Sequence, residues 1–284
     1  MRSLKRTSNS KKNRLPLNFK QLSDAEEIIL SGLLGKPREF LIAHAGELHL
    51  KDSQLRTFEF LRRKLTAGWP LAYLVGYRWF YNRKFFVSPA VLVPRPETEL
   101  LVEKTLLAAR SLRPKFIVDV GTGSGAIIVS LRKELSASAK FFAVDISAAA
   151  LKMAKQNARQ LRSAKIKFIK GSLLTPLFKT LRGQQRVIIC ANLPYVSKKE
   201  LAEPSIKHEP RLALYGGKNP TEKIARLLQQ ISMLKLIKSE VFLEFNWGQS
   251  REIKNLAKKY LPDSKIEIHK DLSGHDRATK ISLK

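Results

Sequence analysis

Phe116-Ile117-Val118-Asp119-Val120-Gly121-Thr122-Gly123-Ser124-Gly125-Ala126 decides the fold of this chain. Phe116-Ile117-Val118 is an apolar run short enough for a buried strand. Gly121 to Gly125 is a turn, and a helix is expected from about Ala126 to Leu135. Glycines allow a tight turn and let a ligand approach the backbone, with the N–H groups of the following helix aimed at it. A strand that breaks into such a turn and then a helix is the first unit of an open α/β sheet.

The same alternation continues outward. Phe141-Phe142-Ala143-Val144 is a second strand, closed by Asp145, and a helix follows from Ser147 to Leu161. Ile166–Ile169 and Val187–Cys190 are the third and fourth strands. A helix over 221–236, a strand over 241–245 and a helix over 249–260 come next. Ile266–His269 and Thr279–Ser282 close the sheet as an antiparallel pair. The pattern predicts an α/β, doubly wound, Rossmann-like sheet of seven strands.

Ala191-Asn192-Leu193-Pro194-Tyr195 sits where the fourth strand opens at its C-terminal edge, the edge at which such sheets bind ligands. An Asn side-chain carbonyl and the next backbone carbonyl can together accept hydrogen bonds from one planar –NH2 group. The Tyr ring can cover the face of that group. Adjacent to the glycine turn, this trio points to methylation of a planar nitrogen, with Asn192, Pro194 and Tyr195 as catalytic candidates and Asn192 to Tyr195 as the acceptor site. Gly121, Gly123 and Ala126 also satisfy a dinucleotide fingerprint, and Asp145 has the offset for ribose hydroxyls in either case. The acceptor motif favours S-adenosylmethionine over NAD, because hydride transfer has no evident use for it. Glutamine and adenine amino groups are alike in shape, so the motif alone leaves both open.

The chain has 284 residues and a formal net charge of +29. A large positive charge fits an anionic partner. The basic residues are scattered beyond the first fourteen positions, so weak nucleic-acid contact through a basic surface is only a secondary expectation. No apolar run is long enough to span a membrane. Met1 to Arg14 lacks the apolar segment of a secretory signal. Cys190 is the single cysteine, which excludes an internal disulfide and a multi-cysteine metal site and fits the cytoplasm. It reads as buried filler. His208 and His275 have no metal spacing between them, and no metal is expected.

Ahead of the sheet the pattern is helical. Ser23-Asp24-Ala25-Glu26 is a capping box, with Ile28, Leu30, Leu33 and Leu34 behind it and Gly35 as the stop. Pro37 opens a second helix, with Gly46 ending it, and Asp52 or Ser53 caps a third that ends at Gly68. Trp79–Tyr81 and Lys84–Val87 flank Asn82-Arg83 as a β-hairpin. Val91-Leu92-Val93 is a further short strand, and Pro94-Arg95-Pro96-Glu97-Thr98-Glu99 leads into a helix ending near Leu112.

The chain resembles the bacterial N5-glutamine methyltransferases of class-I peptide chain release factors over nearly its whole length. The resemblance rests on Pro70–Gly76, Phe80-Tyr81 through Phe85–Val87, Val91–Glu99, Asp119–Ala126, Ala143–Ser147, Glu209–Leu214 with Gly216-Gly217, and Lys270–Arg277. The Pro-Arg-Pro-Glu-Thr-Glu run and the Glu-Pro-Arg loop are the specific parts. It implies a class I methyltransferase sheet and, as substrate, the Gln of a release factor's Gly-Gly-Gln loop. It also implies a cofactor site made of Asp119, Gly121, Thr122, Gly123, Ser124, Gly125, Asp145 and Asn192. The family usually has Pro where Leu193 stands, an acidic residue where Ser172 stands, and Gly where the Lys218-Asn219-Pro220 segment follows the two glycines. With Ser172 in place, Leu173 is expected to pack on the adenine ring. The expected organisation is a disordered basic tail over 1–18, a small helical domain over 19–75 to which the resemblance assigns substrate docking, a β-hairpin linker over 76–95 and a methyltransferase domain over 96–284, acting as a monomer. An adenine N6-methyltransferase on RNA or DNA, a glutamine methyltransferase on a ribosomal protein, and a non-catalytic module on the same fold remain the alternatives.

Overall fold

The computed structural model describes residues 21–45, 47, 48, 50–135 and 138–284. The basic tail over 1–18 and the stop at Gly46 lie outside the described residues. The chain divides into two compact units, Met1–Val75 and Gly76–Lys284.

In the first unit, α1 (Asp24–Leu34) starts at Ser23, whose hydroxyl accepts from the Glu26 N–H while the Glu26 carboxylate takes the Ser23 N–H. Gly35 ends it in the left-handed conformation at φ 63°. Helices α2 (Arg38–Ala43), α3 (Asp52–Thr66) and α4 (Leu71–Val75) follow. Their apolar faces bury Ile29, Leu30, Leu41, Leu50 and Phe58 in one small core. Two details differ from the sequence pattern. Lys51, not Asp52 or Ser53, is the residue at the head of α3, because the Gln54 side chain reaches back to the Lys51 N–H at 2.9 Å. Helix α4 is too short for a periodic signal.

The second unit opens with the hairpin of β1 (Tyr77–Phe80) and β2 (Arg83–Phe86). Its turn residues are Tyr81 and Asn82, both at positive φ (48° and 56°), one position earlier than expected. Two left-handed residues give the turn whose twist matches paired strands. Val91 and Val93 are buried and Leu92 is half-buried, but the segment is not a strand. Prolines bracket it, and the Val93 N–H is taken by the Glu209 side chain at 3.0 Å instead of a neighbouring strand.

The sheet proper alternates with helices: α5 (Glu99–Leu112), β3 (Phe116–Val120), α6 (Ala126–Glu134), β4 (Lys140–Asp145), α7 (Ala148–Gln160), β5 (Ile166–Lys170), α8 (Phe178–Leu181), β6 (Val187–Ala191), α9 (Arg211–Leu214), α10 (Glu222–Leu234), β7 (Ser239–Glu244), α11 (Ser250–Tyr260), β8 (Lys265–Lys270) and β9 (Asp276–Leu283). The strand order is β5-β4-β3-β6-β7-β9-β8, parallel from β5 to β7, with β9 antiparallel to both β7 and β8. This is the expected seven-stranded doubly wound sheet. Every residue of β3 and β6 is buried, as strands covered by helices on both faces must be. The chain leaves β3 toward β5 and returns to β6, so β3 and β6 flank the switch point where a crevice opens.

Candidate active site

The β3–β6 register pairs Asp119 with Cys190 and Val120 with Ala191. One residue further, Gly121 and Asn192 leave the sheet side by side. A Cβ added at Gly121 would lie 3.1 Å from Leu193 Cδ2 and 3.7 Å from the Asn192 carbonyl oxygen. The glycine turn and the acceptor loop therefore meet, over a cavity of about 450 Å³ that Thr98, Gly121, Thr122, Asp145, Leu173 and Asn192 help to line. That volume suits a small-molecule cofactor.

The cofactor wall is mostly backbone. Gly121, Gly123 and Gly125 have φ of 76°, 55° and 81°, which few residues but glycine adopt without strain. Asp145, at the end of β4, accepts from the Gly123 and Ser147 N–H groups, each at 2.9 Å. Burial raises its pKa and these N–H groups hold it down. Its carboxylate thus stands fixed beside the turn, with lone pairs left for ligand hydroxyls. Ser124 and Leu173 also line the cavity. Asp119 lies beneath it: Oδ2 accepts from the Thr122 hydroxyl at 2.6 Å, and Oδ1 makes no hydrogen bond. Desolvation pushes its pKa up to about 7, and the Asp145 charge adds to that. The turn and the braced carboxylate fit a polar, hydroxyl-bearing cofactor, whereas Asp119, expected among its contacts, does not line the cavity and instead holds Thr122 from below.

The acceptor wall is made of side chains. Asn192 Nδ2 donates to Thr98 Oγ1 at 3.0 Å. That leaves Asn192 Oδ1 without a hydrogen bond among the described residues, on a side chain that lines the cavity. Leu193 and Pro194 line it too, whereas Tyr195 does not. The Tyr195 hydroxyl instead donates to Oε1 of Glu244, at the end of β7, over 3.2 Å. Burial and the Glu244 charge raise its pKa. The Tyr195 carbonyl accepts from Gln249 Nε2 at 3.2 Å, and Val196 bridges to Tyr215. Glu209 holds the Val93 N–H and ion-pairs with Arg95, so it braces the segment that carries Thr98.

Three functional positions escaped the sequence reading. Asn157 of α7 is fully buried; its Oδ1 accepts from the Phe86 N–H at 2.7 Å, and Nδ2 donates to the carbonyls of Phe86 (3.0 Å) and Ser124 (2.9 Å). It ties the hairpin to the glycine turn. The only hint was an Asn on a helix face otherwise made of Ala and Leu. Thr98 and Glu244 had no local signal, because each is a polar residue in an apolar setting whose partner lies far along the chain. Cys190 is buried against the Thr105 hydroxyl, and burial raises its thiol pKa, as befits packing. Gly216 is required sterically, because a Cβ there would collide with the Pro220 carbonyl, and Gly217 stands at φ 124°, where other residues are strained. His275 lies in the β8–β9 turn with its ring 5.7 Å from that of Trp247. Among the described residues there is no cluster of metal-ligating side chains and no helix long and apolar enough to cross a membrane.

Residues 115–205 match the family described as a methyltransferase domain, and residues 20–76 match the PrmC N-terminal domain. The release factor glutamine methyltransferase of Bacillus cereus is 33% identical over 263 residues, covering 89% of this chain and 90% of its own. That of Bacillus subtilis (strain 168) is 36% identical over 261 residues, covering 89% of each. The chain belongs to the release factor glutamine methyltransferase family. The Escherichia coli member is 33% identical over 230 residues, 80% of each chain. Among solved structures, the hMettl16 catalytic domain in complex with the MAT2A 3'UTR hairpin 1 superposes with a TM-score of 0.56 at 15% identity, covering 80% of this chain and 91% of that one, a likeness of fold alone. As in the methyltransferase domain generally, the methyl donor of this family member is S-adenosylmethionine. Gly121 to Gly125, Asp145 and Leu173 would hold it, and it supplies an electrophilic methyl carbon when bound.

Proposed function

We propose that this chain transfers a methyl group from S-adenosylmethionine to the side-chain amide nitrogen, N5, of the Gln in the Gly-Gly-Gln motif of class-I release factors. The observation that carries the reading is the meeting of the two loops. An unpaired Asn192 Oδ1 lines the same cavity as the glycine turn. Amide nitrogen is a poor nucleophile because its lone pair is delocalised. Asn192 Oδ1 and the Leu193 carbonyl would accept its two N–H groups, fix its plane and stabilise the positive charge that develops on nitrogen. One N–H proton leaves to solvent as the N–CH3 bond forms. Tyr195 and Pro194 shape the loop that offers these acceptors. The full-length similarity to release factor glutamine methyltransferases supports glutamine over adenine.

The helical unit, which matches the PrmC N-terminal domain, is proposed to dock the release factor, with the hairpin linking it to the catalytic unit. The enzyme is proposed to act as a cytoplasmic monomer. The test is the mass of the Gly-Gly-Gln peptide from a cognate release factor after incubation with this protein and labelled S-adenosylmethionine. One added methyl group on Gln is expected. Label in bulk RNA or in a ribosomal protein but not in the release factor would overturn the reading, and no label in any acceptor would favour a binding module.

A further inference from the structure

The acceptor wall contains a carboxylate that the reaction described above does not use. Glu244 is 1% exposed at the end of β7. Its Oε1 accepts from Tyr195, while its Oε2 makes no hydrogen bond. The Thr98 hydroxyl stands beside it without completing one. Thr98 is also the group that takes the Asn192 side-chain N–H. A single residue thus touches both anchors of the acceptor loop, Tyr195 directly and Asn192 through Thr98.

We propose that Glu244 is a positioning residue that sets the hydrogen-bond polarity of the acceptor site, so that Asn192 presents its oxygen and never its –NH2 to the substrate amide. This deepens the amide-methylation reading and rests on it. An ionised carboxylate is an acceptor only. The Tyr195 hydroxyl donates to it, and its charge orients the O–H dipole of the neighbouring Thr98 toward it without a completed hydrogen bond. Thr98 is then left with lone pairs alone for Asn192, which must give Nδ2–H to Thr98 and keep Oδ1 for the substrate. With Glu244 protonated, Thr98 is released to donate to Asn192. The amide can then flip, and its –NH2 would oppose the –NH2 of the substrate.

The surroundings set the ionisation. Burial pushes the Glu244 pKa up to about 7, with Glu97 adding to it, while the Thr98 and Tyr195 hydroxyls and Arg277 of β9 hold it down. Arg95 acts on Tyr195 in the same sense as Arg277. Since the carboxylate is the competent form, turnover falls as pH falls through the neutral range.

The test compares wild type with Glu244→Gln and Thr98→Val, using a release factor and saturating S-adenosylmethionine across the neutral pH range. Saturation makes kcat report the groups that titrate in the bound complex, and the comparison with Glu244→Gln isolates the part of the pH profile that belongs to Glu244. Glu244→Gln should lower kcat about a hundredfold, the order of loss that misplaced reacting groups cause. Cofactor affinity and the KM for release factor should stay within about twofold, RT ln 2 being a fraction of a kcal/mol. The low-pH limb of kcat should vanish in the variant. A wild-type kcat, or a lowered kcat with the limb intact, would overturn the proposal. Side-chain amide NMR of Asn192 reads the same network without turnover. Its Nδ2 protons should titrate near neutral pH in wild type and not in Glu244→Gln, and a flat titration in wild type also overturns the idea. Failure of wild type to label any release factor would sink the amide reading instead, which the NMR titration keeps distinct.

Discussion

The two walls of the cavity are built by opposite means. The cofactor wall is local and mostly backbone: three glycines at positive φ and one carboxylate held by two N–H groups, all between Asp119 and Ser147. The acceptor wall is assembled from distant side chains. Thr98 holds Asn192, Glu244 holds Tyr195, Gln249 holds the Tyr195 carbonyl, and Glu209 clamps the segment before Thr98. The first can form as soon as β3, α6 and β4 pack. The second needs β6, β7 and the Arg95–Thr98 segment in place together. Substitutions in the acceptor wall should therefore separate transfer from cofactor binding, and substitutions in the cofactor wall should not.

The sharpest break in this comparison comes from Asn192→Ala. It removes the side-chain acceptor and leaves the glycine turn untouched. Loss of one preorganised partner of the reacting group costs about 100- to 1,000-fold in kcat. Cofactor affinity, read by calorimetry, should change little. If transfer survives, or if cofactor binding collapses in parallel, the two walls are not separable and the assignment of Asn192 to the acceptor side is wrong.

Asn157→Ala tests a side chain that supports the cofactor wall from α7. Its three hydrogen bonds, two to the Phe86 backbone and a buried one to the Ser124 carbonyl, join the hairpin to the glycine turn. Removing them leaves buried backbone groups unpaired, at a cost of about 3 kcal/mol of stability. Denaturant unfolding of the full chain should show that loss, and cofactor affinity should weaken with it. Unchanged stability would mean that water replaces the amide at no cost.

The difference between the walls also explains what the sequence disclosed. All seven strands and the five longer helices around them were legible, because the central parallel strands, buried on both faces, read as short apolar runs, the edge strands alternate apolar and polar residues, and the helices carry a 3.6-residue period. The glycine turn was legible because backbone conformation constrains residue type. Val91 to Val93 misled: the two valines are buried without a strand neighbour, and the Val93 N–H that would pair is taken by Glu209. Glu244 and Thr98 were silent, since a buried polar residue is defined by a partner that sequence does not place beside it. The acceptor loop was recognisable as a motif, whereas the network that orients it was not.

Gly121→Ala probes the contact between the walls. A non-glycine residue in the left-handed region costs about 1–2 kcal/mol. The new methyl would press on Leu193 Cδ2, the far end of a side chain that can yield. The fold should survive, and cofactor dissociation constants should rise about tenfold if that strain is relieved only by moving the turn. An unchanged constant would show that the turn does not touch the ligand where expected.

Leu193→Pro is the mildest change and the most informative about the loop. It restores the residue the family usually carries. The Leu193 N–H makes no hydrogen bond among the described residues, so proline removes no partner. It would also confine Asn192 to extended conformations, which suits a residue leaving a strand. Against that, the Leu193 side chain is buried in the main core and lies against Gly121, so apolar contact is lost. Stiffening the unfolded chain is worth about 0.4–1 kcal/mol, similar in size to part of the lost packing. The two effects oppose each other, and kcat and the melting temperature should both move little, with kcat within about threefold, since 1 kcal/mol is only a factor of about five. A tenfold gain in kcat would mean that loop rigidity limits the wild-type enzyme. A tenfold loss would mean that leucine is the residue that keeps the acceptor carbonyl over the glycine turn, and that this chain has traded a rigid loop for a packed one.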